Sequence, residues 1–232
     1  MPTASIADNL TAVRERIAAA AARSGRAAEA VRLVAVTKYV GLDEIHALLD
    51  AGCLDLGESR PQQLQQRAAE LAGRPVRWHL IGHLQRNKAR KTIGLTTLIH
   101  SVDNLRLAEA ISSEAAAIGR PVEVLLEVNV SGEASKDGLS PDELTPLLPQ
   151  LARLSGLRVR GLMCMAALDS GAEGARRDFA RLRELRDRLR GDCPPDIVLD
   201  ELSMGMSGDF EAAIEEGATI VRVGSALFEG RS

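Results

Sequence analysis

Six residues near the amino terminus set the architecture of this protein: Leu33-Val34-Ala35-Val36-Thr37-Lys38. The first five are apolar or β-branched at consecutive positions, which indicates a strand buried on both faces, as in a parallel sheet. Lys38 then stands at the carboxyl end of this strand, where parallel α/β proteins bind ligands. A lysine amine at that position can attack a carbonyl group and form a Schiff base. The alternative is a surface lysine that happens to end a strand.

The composition is typical of a globular protein with one large core. The chain has 232 residues, of which 45% are hydrophobic and 26% are charged. Single-domain α/β barrels reach this length, so we expect one domain over residues 1–232. Aromatic residues make up only 2%, so the core must consist of Leu, Val, Ile and Ala. A net charge of −3 gives no reason to expect nucleic acid or an anionic membrane as a partner.

Three features indicate the cytoplasm. Cys53, Cys164 and Cys193 are far apart and odd in number, which fits a reducing compartment better than a disulfide framework. Charged residues, Asp8 and then Arg14, interrupt the apolar run that a signal peptide needs. No apolar stretch of the sequence reaches the length of a membrane span. We therefore expect a cytoplasmic protein that does not associate with membranes.

Strand and helix patterns alternate about eight times along the chain. We expect strands at 33–37, 53–58, 77–82, 98–102, 122–130, 157–163, 198–202 and 218–223. Asp103 is the predicted cap of the helix after the fourth strand, and Ser140-Pro141-Asp142-Glu143 has the form of a helix start. The alternation predicts an α/β fold, a single closed (β/α)8 TIM barrel over 31–228. An open doubly wound sheet is the alternative, but no G-x-G-x-x-G follows any predicted strand.

An additional helix is predicted within residues 1–25. Its apolar residues, from Ile6 to Ala21, recur at helical spacing, and Gly25 ends the pattern. We expect this helix to plug or flank the barrel.

The loops after the seventh and eighth strands have the residues of an anion site. Ser203-Met204-Gly205-Met206-Ser207-Gly208-Asp209 follows one strand, and Gly224-Ser225-Ala226 follows the other. Glycines let backbone N–H groups converge, and (β/α)8 barrels often hold a phosphate at these two loops. The alternative is that these residues only form turns and caps. The pattern favours a phosphate site.

Arg222 lies inside the apolar eighth strand, where a guanidinium must find a partner. That partner is either a carboxylate, such as Glu201 or Glu58, or a ligand in the barrel mouth. His79 and His83 are four residues apart, but a strand followed by a loop does not place both on one face, so we expect no metal site. The basic segments at 86–91 and 176–190 are interpreted as solvated helix faces.

Several segments together resemble the pyridoxal 5′-phosphate homeostasis protein family. They are AVTK (35–38), LGESR (56–60), WHLIGHLQRNK (78–88), VNVSGEASK (128–136), GLM (161–163) and LSMGMSGDF (202–210). The resemblance covers nearly the whole chain. The last of these segments is highly specific when it occurs together with RVGS (222–225).

The resemblance implies a barrel like the N-terminal domain of alanine racemase, the type III fold among proteins that bind pyridoxal phosphate. It implies that the cofactor is held as a covalent aldimine on Lys38 and that Arg222 faces its pyridine nitrogen. Ser207, Gly224 and Ser225 would hold the phosphate. The candidate cofactor-binding residues are Lys38, Ser59, Ser203, Met204, Ser207, Arg222, Gly224 and Ser225.

The chain departs from the family pattern at two of these positions. Ser59 stands where the family usually has Asn, the residue expected to contact the ring hydroxyl. Ser225 stands where the family usually has Thr, so the hydroxyl group is kept.

The implied function is a pyridoxal 5′-phosphate-binding protein of intracellular cofactor homeostasis. It would buffer or deliver the cofactor, with pyridoxal phosphate-dependent apo-enzymes as partners, and so affect amino-acid and keto-acid balance. We expect a monomer. We also expect no efficient catalysis, because an arginine beside the ring nitrogen weakens the ring as an electron sink. The alternatives are an amino-acid racemase of the alanine racemase type and a lysine aldolase that acts on a sugar phosphate.

Overall fold

Eight strands form one closed barrel in this computed structural model, which describes residues 5–133, 137–167 and 171–230. The strands are β1 (Arg32–Val36), β2 (Asp55–Glu58), β3 (Arg77–Leu80), β4 (Thr96–Val102), β5 (Val122–Glu127), β6 (Leu157–Met163), β7 (Glu201–Ser203) and β8 (Ile220–Val223). Each strand is parallel to the next, and β1 also pairs with β8. The predicted (β/α)8 barrel is therefore confirmed, and the open-sheet alternative is wrong.

Helices surround the strands. They are α1 (Ile6–Arg23), α2 (Leu42–Asp50), α3 (Pro61–Glu70), α4 (Ala89–Thr92), α5 (Leu105–Ile118), α6 (Pro141–Leu151), α7 (Gly171–Arg190) and α8 (Phe210–Glu215). Short 3₁₀ turns occur at Ala28–Ala30, Arg86–Lys88 and Ser225–Leu227. The start of α6 is as predicted, since the Glu143 carboxylate accepts hydrogen bonds from the Ser140 N–H and hydroxyl at 2.7 and 2.8 Å.

The additional helix α1 flanks the barrel and does not plug it. Its apolar face is buried against α8 and α2. The Asn9 amide near its start donates to the Leu227 carbonyl at 3.2 Å, and Arg23 at its end pairs with Glu215 at 2.7 Å. The helix thus runs along the outside of the closure between β1 and β8.

Three predicted details differ from the structure. Asn104, not Asp103, caps α5, because its side-chain oxygen accepts from the Leu107 N–H at 2.9 Å while Asp103 faces His83. The fifth strand ends at Glu127, since the Glu127 carbonyl bonds to Leu139 at 2.8 Å instead of to a neighbouring strand. The seventh strand is Glu201–Ser203 rather than 198–202.

β7 approaches β6 very closely at its first residue. Gly161 pairs with Glu201, and a Cβ atom on Gly161 would lie 1.9 Å from the Glu201 carbonyl oxygen. Only glycine permits this approach, so the two strands meet at that point. Ala134, Ser135 and Lys136, which end one of the segments quoted above, lie outside the described residues.

Side chains alternate between the barrel interior and the helices, as they must in a closed parallel sheet. One apolar cluster lies inside the barrel and consists of Val34, Leu98, Leu125, Met163 and Ile220. The outward-facing strand residues join the helices in a much larger core. The barrel interior is therefore packed, not a channel.

A line of buried polar side chains crosses the same interior. Asp55 Oδ1 lies 3.0 Å from His79 Nε2, and His79 Nδ1 lies 2.9 Å from His100 Nε2. His100 Nδ1 lies 2.9 Å from Ser203 Oγ, to which Arg222 Nη1 donates at 2.6 Å. Because β4 and β7 are not neighbours in the barrel, the contact between His100 and Ser203 must pass through its centre.

Burial dominates the titration of the two histidines. Both are fully buried, and desolvation lowers the pKa of His79 and holds that of His100 well below 6.5. The folded protein therefore keeps both rings neutral at pH values where the unfolded chain takes up protons. Such groups stabilise the fold above the unfolded pKa, and that stabilisation is lost as the pH falls.

We expect the stability difference between the parent and His100→Gln to shrink as the pH falls from 8 to 5. The change should be steepest below about pH 6.5 and reach up to roughly 1.4 kcal/mol per pH unit. Urea unfolding at each pH measures it. The parent must be compared with a variant because other groups also change its stability with pH. Buried carboxyl groups with raised pKa, among them Glu127 at about 7, make the fold more stable as the pH falls.

His46→Gln is the matched control, since His46 lies on α2 outside the barrel. The difference between the parent and this control should stay small at every pH. If the difference in unfolding free energy between the parent and His100→Gln stayed constant from pH 8 to 5, His100 would not be held neutral.

Candidate functional site

Lys38 is presented at the carboxyl end of β1. The Thr37 N–H bonds to the Gly57 carbonyl at 3.0 Å, which extends the strand pairing to the residue before it. The Gln63 side chain on α3 donates to the Lys38 carbonyl at 3.1 Å and fixes the backbone there. The Lys38 side chain is half-buried, and its Nζ lies 4.9 Å from the centre of the Tyr39 ring. The amine is thus near the surface on an anchored backbone.

Glu58 ends β2, the strand that pairs with β1, and is fully buried. Its Oε1 accepts from the Thr37 hydroxyl at 2.6 Å, and its Oε2 has no hydrogen-bond partner among the residues described. Burial raises the pKa of Glu58, opposed by the Thr37 hydrogen bond and by the charges of Arg67 and Lys38. Glu58 is therefore a buried carboxyl group that contacts Thr37 and Arg67 at the end of the strand next to β1.

Arg222 is buried with hydrogen bonds but without a contacting carboxylate in the described part of the chain. Its Nη1 donates to Ser203 Oγ at 2.6 Å, and its Nη2 donates to the Cys164 carbonyl at 2.9 Å. The predicted carboxylate partners are wrong: Glu201 pairs with Arg32 at 3.6 Å, and Glu58 faces Arg67 at 3.8 Å.

The charge of Arg222 is balanced only from a distance. Burial lowers the pKa of Arg222, and the negative charges of Glu127 and Asp209 oppose this effect. An arginine keeps its proton throughout the physiological range even so. The end of the barrel therefore contains a buried, permanently charged donor.

Glu127, at the end of β5, is the second buried carboxyl group at this end of the barrel. Burial, together with the charges of Asp103 and Asp137, raises its pKa to about 7, while Arg222 and His83 oppose the rise. Glu127 was not predicted, and Glu58 was considered only as a partner of Arg222. The signal was an acidic residue at the carboxyl end of a strand, since Glu58 and Glu127 are each the last residue of their strand.

The loops after β7 and β8 are tied together by Ser207. Its hydroxyl oxygen accepts from the Gly224 N–H at 3.1 Å and from the Ala226 N–H at 3.4 Å. Gly205 has φ +92°, and a Cβ atom there would lie 2.6 Å from Ala213 Cβ, so the close turn before Ser207 requires glycine. Two backbone donors of the loop after β8 thus converge on one oxygen atom of the loop after β7, which is the arrangement that an anion needs.

The candidate residues lie at the ends of four strands. Lys38 and Ser59 follow β1 and β2, and both are half-buried. Ser203 ends β7 and Met204 follows it, and both are completely buried, so neither side chain is open to solvent. Ser207 and Gly224 are hydrogen-bonded to each other, as are Ser203 and Arg222. Ser225 is exposed at the start of the last 3₁₀ turn.

The loop after β8 also approaches β1. A Cβ atom on Gly224 would lie 3.4 Å from Val36 Cβ, two residues before Lys38. The serine loops and the lysine therefore occupy adjacent positions around the same rim.

The two histidines four residues apart have separate environments. His79 belongs to the buried polar line, whereas His83 is exposed and lies 3.3 Å from Asp103. Within 5–133, 137–167 and 171–230, no three His, Cys, Asp or Glu side chains are grouped as they would be to hold a metal ion. None of the helices in those ranges is both long and apolar enough to span a membrane.

Comparison with known proteins places this geometry in a family. Residues 9–232 match the model of the alanine racemase N-terminal domain. The chain is 43% identical over 226 residues to a pyridoxal phosphate homeostasis protein of Pseudomonas aeruginosa, covering 97% of this chain and 96% of that one. It is 38% identical over 229 residues to the protein of that name from Escherichia coli, covering 97% of each.

Solved structures agree. PipY of Synechococcus elongatus with pyridoxal phosphate bound has a TM-score of 0.86 and 36% identity, covering 97% of this chain and all of that one (100%). An alanine racemase of Clostridium difficile has a TM-score of 0.73 at 15% identity, with 56% of its chain covered, which is a likeness of fold. This chain belongs to the pyridoxal phosphate homeostasis protein family and has the barrel of the alanine racemase N-terminal domain.

Proposed function

We propose that this protein binds pyridoxal 5′-phosphate through a covalent aldimine on Lys38 and serves intracellular homeostasis of that cofactor. One observation carries the proposal: a primary amine follows β1, a buried cation lies in β8, and two N–H donors after β8 meet the Ser207 hydroxyl after β7. Pyridoxal phosphate has an aldehyde, a pyridine nitrogen and a phosphate, which require these three kinds of partner. Its presence in the related PipY structure supports the same ligand here.

The aldehyde end would be held by Lys38. Attack of its neutral amine on the aldehyde forms a C=N bond and releases water, and a proton must leave the ammonium first. The Lys38 side chain is only half-buried, so solvent can take that proton. The Gln63 contact to the Lys38 carbonyl keeps the backbone in place while the side chain changes state.

The phosphate end would be held by the loops after β7 and β8. The Gly224 and Ala226 N–H groups that now reach Ser207 Oγ can turn to a phosphate oxygen, and the hydroxyls of Ser207 and Ser225 can donate to it. We expect Ser59 and Met204 to line the same cofactor. These assignments use no metal ion.

The ring nitrogen would face Arg222, and this feature separates a binding protein from an enzyme. A donor that cannot give up its proton leaves the pyridine nitrogen unprotonated, so a carbanion on a bound amino acid gains little stabilisation. We therefore propose buffering or delivery of the cofactor, by a monomer in the cytoplasm, to pyridoxal phosphate-dependent apo-enzymes. The racemase alternative is supported by likeness of fold, as to the Clostridium difficile enzyme at 15% identity.

We expect Lys38→Ala to fold like the parent but to lose the visible absorbance of the aldimine. Borohydride reduction of the loaded parent should leave a stable adduct on the peptide that contains Lys38, detected by mass mapping. Lys91→Ala, on α4, is the matched control and should keep the adduct. An adduct on Lys136, with Lys38 unmodified, would refute the assignment.

We expect Ser207→Ala and Ser225→Ala each to weaken pyridoxal phosphate binding by roughly 10- to 100-fold. The loss corresponds to one charge-assisted hydrogen bond, roughly 1.5–3 kcal/mol. Equilibrium titration measures it, and pyridoxal without phosphate should bind both variants almost as it binds the parent. Ser113→Ala, on the exposed face of α5, controls for the loss of a serine. Unchanged affinity in both loop variants would mean that the phosphate lies elsewhere.

We expect the loaded protein to transfer its cofactor to an apo-enzyme without turning over amino acids. Incorporation of deuterium at the α-carbon of alanine, followed by mass spectrometry, measures carbanion formation directly. Exchange on the order of 1 per second or faster, a rate typical of enzymes, would favour the racemase. Transfer is followed as activity regained by the apo-enzyme, and free pyridoxal phosphate at the same concentration is the control.

A further inference from the structure

The buried polar line between Asp55 and Arg222 has two ends whose roles are fixed by chemistry. A guanidinium has only N–H donors, so Arg222 must donate to Ser203. At the other end, Asp55 accepts from Arg77 Nε at 2.9 Å and from Arg77 Nη2 at 2.5 Å. Burial alone raises the pKa of Asp55, but Arg77 and His79 outweigh this and hold it well below its usual range. Asp55 is therefore an ionised carboxylate, which can only accept.

The three groups between these ends then have one consistent arrangement. His79 Nε2 must carry a proton to donate to Asp55, so Nδ1 of the neutral ring accepts from His100 Nε2. His100 Nδ1 in turn accepts from the Ser203 hydroxyl, whose oxygen accepts from Arg222. Four hydrogen bonds thus point the same way, from the carboxyl end of the barrel to its amino end.

The arrangement connects Arg222 to a remote countercharge. Arg222 touches no carboxylate within the described residues, yet the chain of neutral groups ends on the Asp55 carboxylate at the opposite end of the barrel. Hydrogen bonds in such a chain polarise one another, which makes the Ser203 oxygen a stronger acceptor for Arg222. The second bond, to the Cys164 carbonyl, completes the hold on the guanidinium.

We propose that Asp55, His79, His100 and Ser203 are positioning residues that fix the Arg222 guanidinium toward the ring nitrogen of the cofactor. The assignment rests on the proposed function, because the cofactor defines what Arg222 faces. Asp55 and His79 act through the other residues and do not touch the ligand. Removal of any of these residues should let the neighbouring histidine adopt either tautomer. The Arg222 guanidinium would then be held less firmly in one orientation.

The first test needs no cofactor. In protein labelled with ¹⁵N-histidine, correlation spectra at pH 7.5 report the tautomer and charge of each ring. We expect His79 and His100 to be neutral with the proton on Nε2 in both. A proton on Nδ1 of either ring, or a cationic ring, would overturn the relay whatever the protein binds.

The second test uses variants at the end nearest the ligand. Ser203→Ala should give His100 a mixture of tautomers and weaken pyridoxal phosphate binding about tenfold, as expected for the loss of one such interaction. Ser203→Thr, which keeps the hydroxyl, should restore both. The matched control is Ser101→Ala, because Ser101 is buried on β4 next to His100 but donates to the Gly82 carbonyl at 2.7 Å.

A cofactor analogue shows whether the effect passes through the ring nitrogen. In the deaza analogue of pyridoxal phosphate a C–H group replaces that nitrogen. A less firmly held Arg222 should therefore reduce the affinity for the analogue only slightly. We expect Ser203→Ala to reduce the preference of the protein for pyridoxal phosphate over the analogue. Equal loss for both ligands would refute the positioning role even if Lys38 binds the cofactor.

The third test acts from the far end. Asp55→Asn removes the acceptor charge without changing the size of the side chain, and should disturb the His79 tautomer and weaken pyridoxal phosphate binding in the same direction as Ser203→Ala. Normal binding in this variant, with a disturbed His79, would show that the line does not reach Arg222. Should Lys38 carry no cofactor while both tautomers are as expected, the relay stands and the proposed function fails.

Discussion

The structure depends on the burial of one guanidinium inside a barrel that is otherwise closely packed. Moving an unpartnered charge out of water costs several kcal/mol, so the fold must satisfy Arg222 locally. It does so with a hydroxyl and a carbonyl oxygen, not with a carboxylate. Neutral partners satisfy the donors without cancelling the charge. The guanidinium therefore keeps a charge that a tight ion pair with a contacting carboxylate would have cancelled.

The interior of the barrel is divided between two tasks. Val34, Leu98, Leu125, Met163 and Ile220 form an apolar cluster and contribute the packing that such an interior needs. The polar line from Asp55 to Arg222 runs beside them. It contributes a series of hydrogen bonds that all point the same way. Every member of this line is hydrogen-bonded at both ends, so its burial leaves no orphaned group.

The barrel was predictable from the sequence because its signals are local. Consecutive apolar residues, helix starts such as Ser140-Pro141 and the glycine loops all act within a few positions. The polar line was not predictable, because His100 and Ser203 are 103 residues apart and meet only through the curvature of the closed sheet. The same limit applies to Glu58, which was considered as a partner of Arg222 and instead contacts Thr37 and Arg67. Lys38 and the phosphate loops stay predictions as cofactor ligands, although their placement at one rim follows from strand order.

The pairing of β1 with β8 joins the first strand of the barrel to the last. Lys38 lies on one side of this seam, and the loop that contains Gly224 lies on the other. Neither half of the chain holds the complete candidate site, so its residues come together only when the barrel closes. A ligand bonded to both sides would connect the first strand of the barrel to the last. Such a ligand would stabilise the closed barrel selectively. A chain whose barrel has not closed lacks the complete set of contacts and would not bind the ligand.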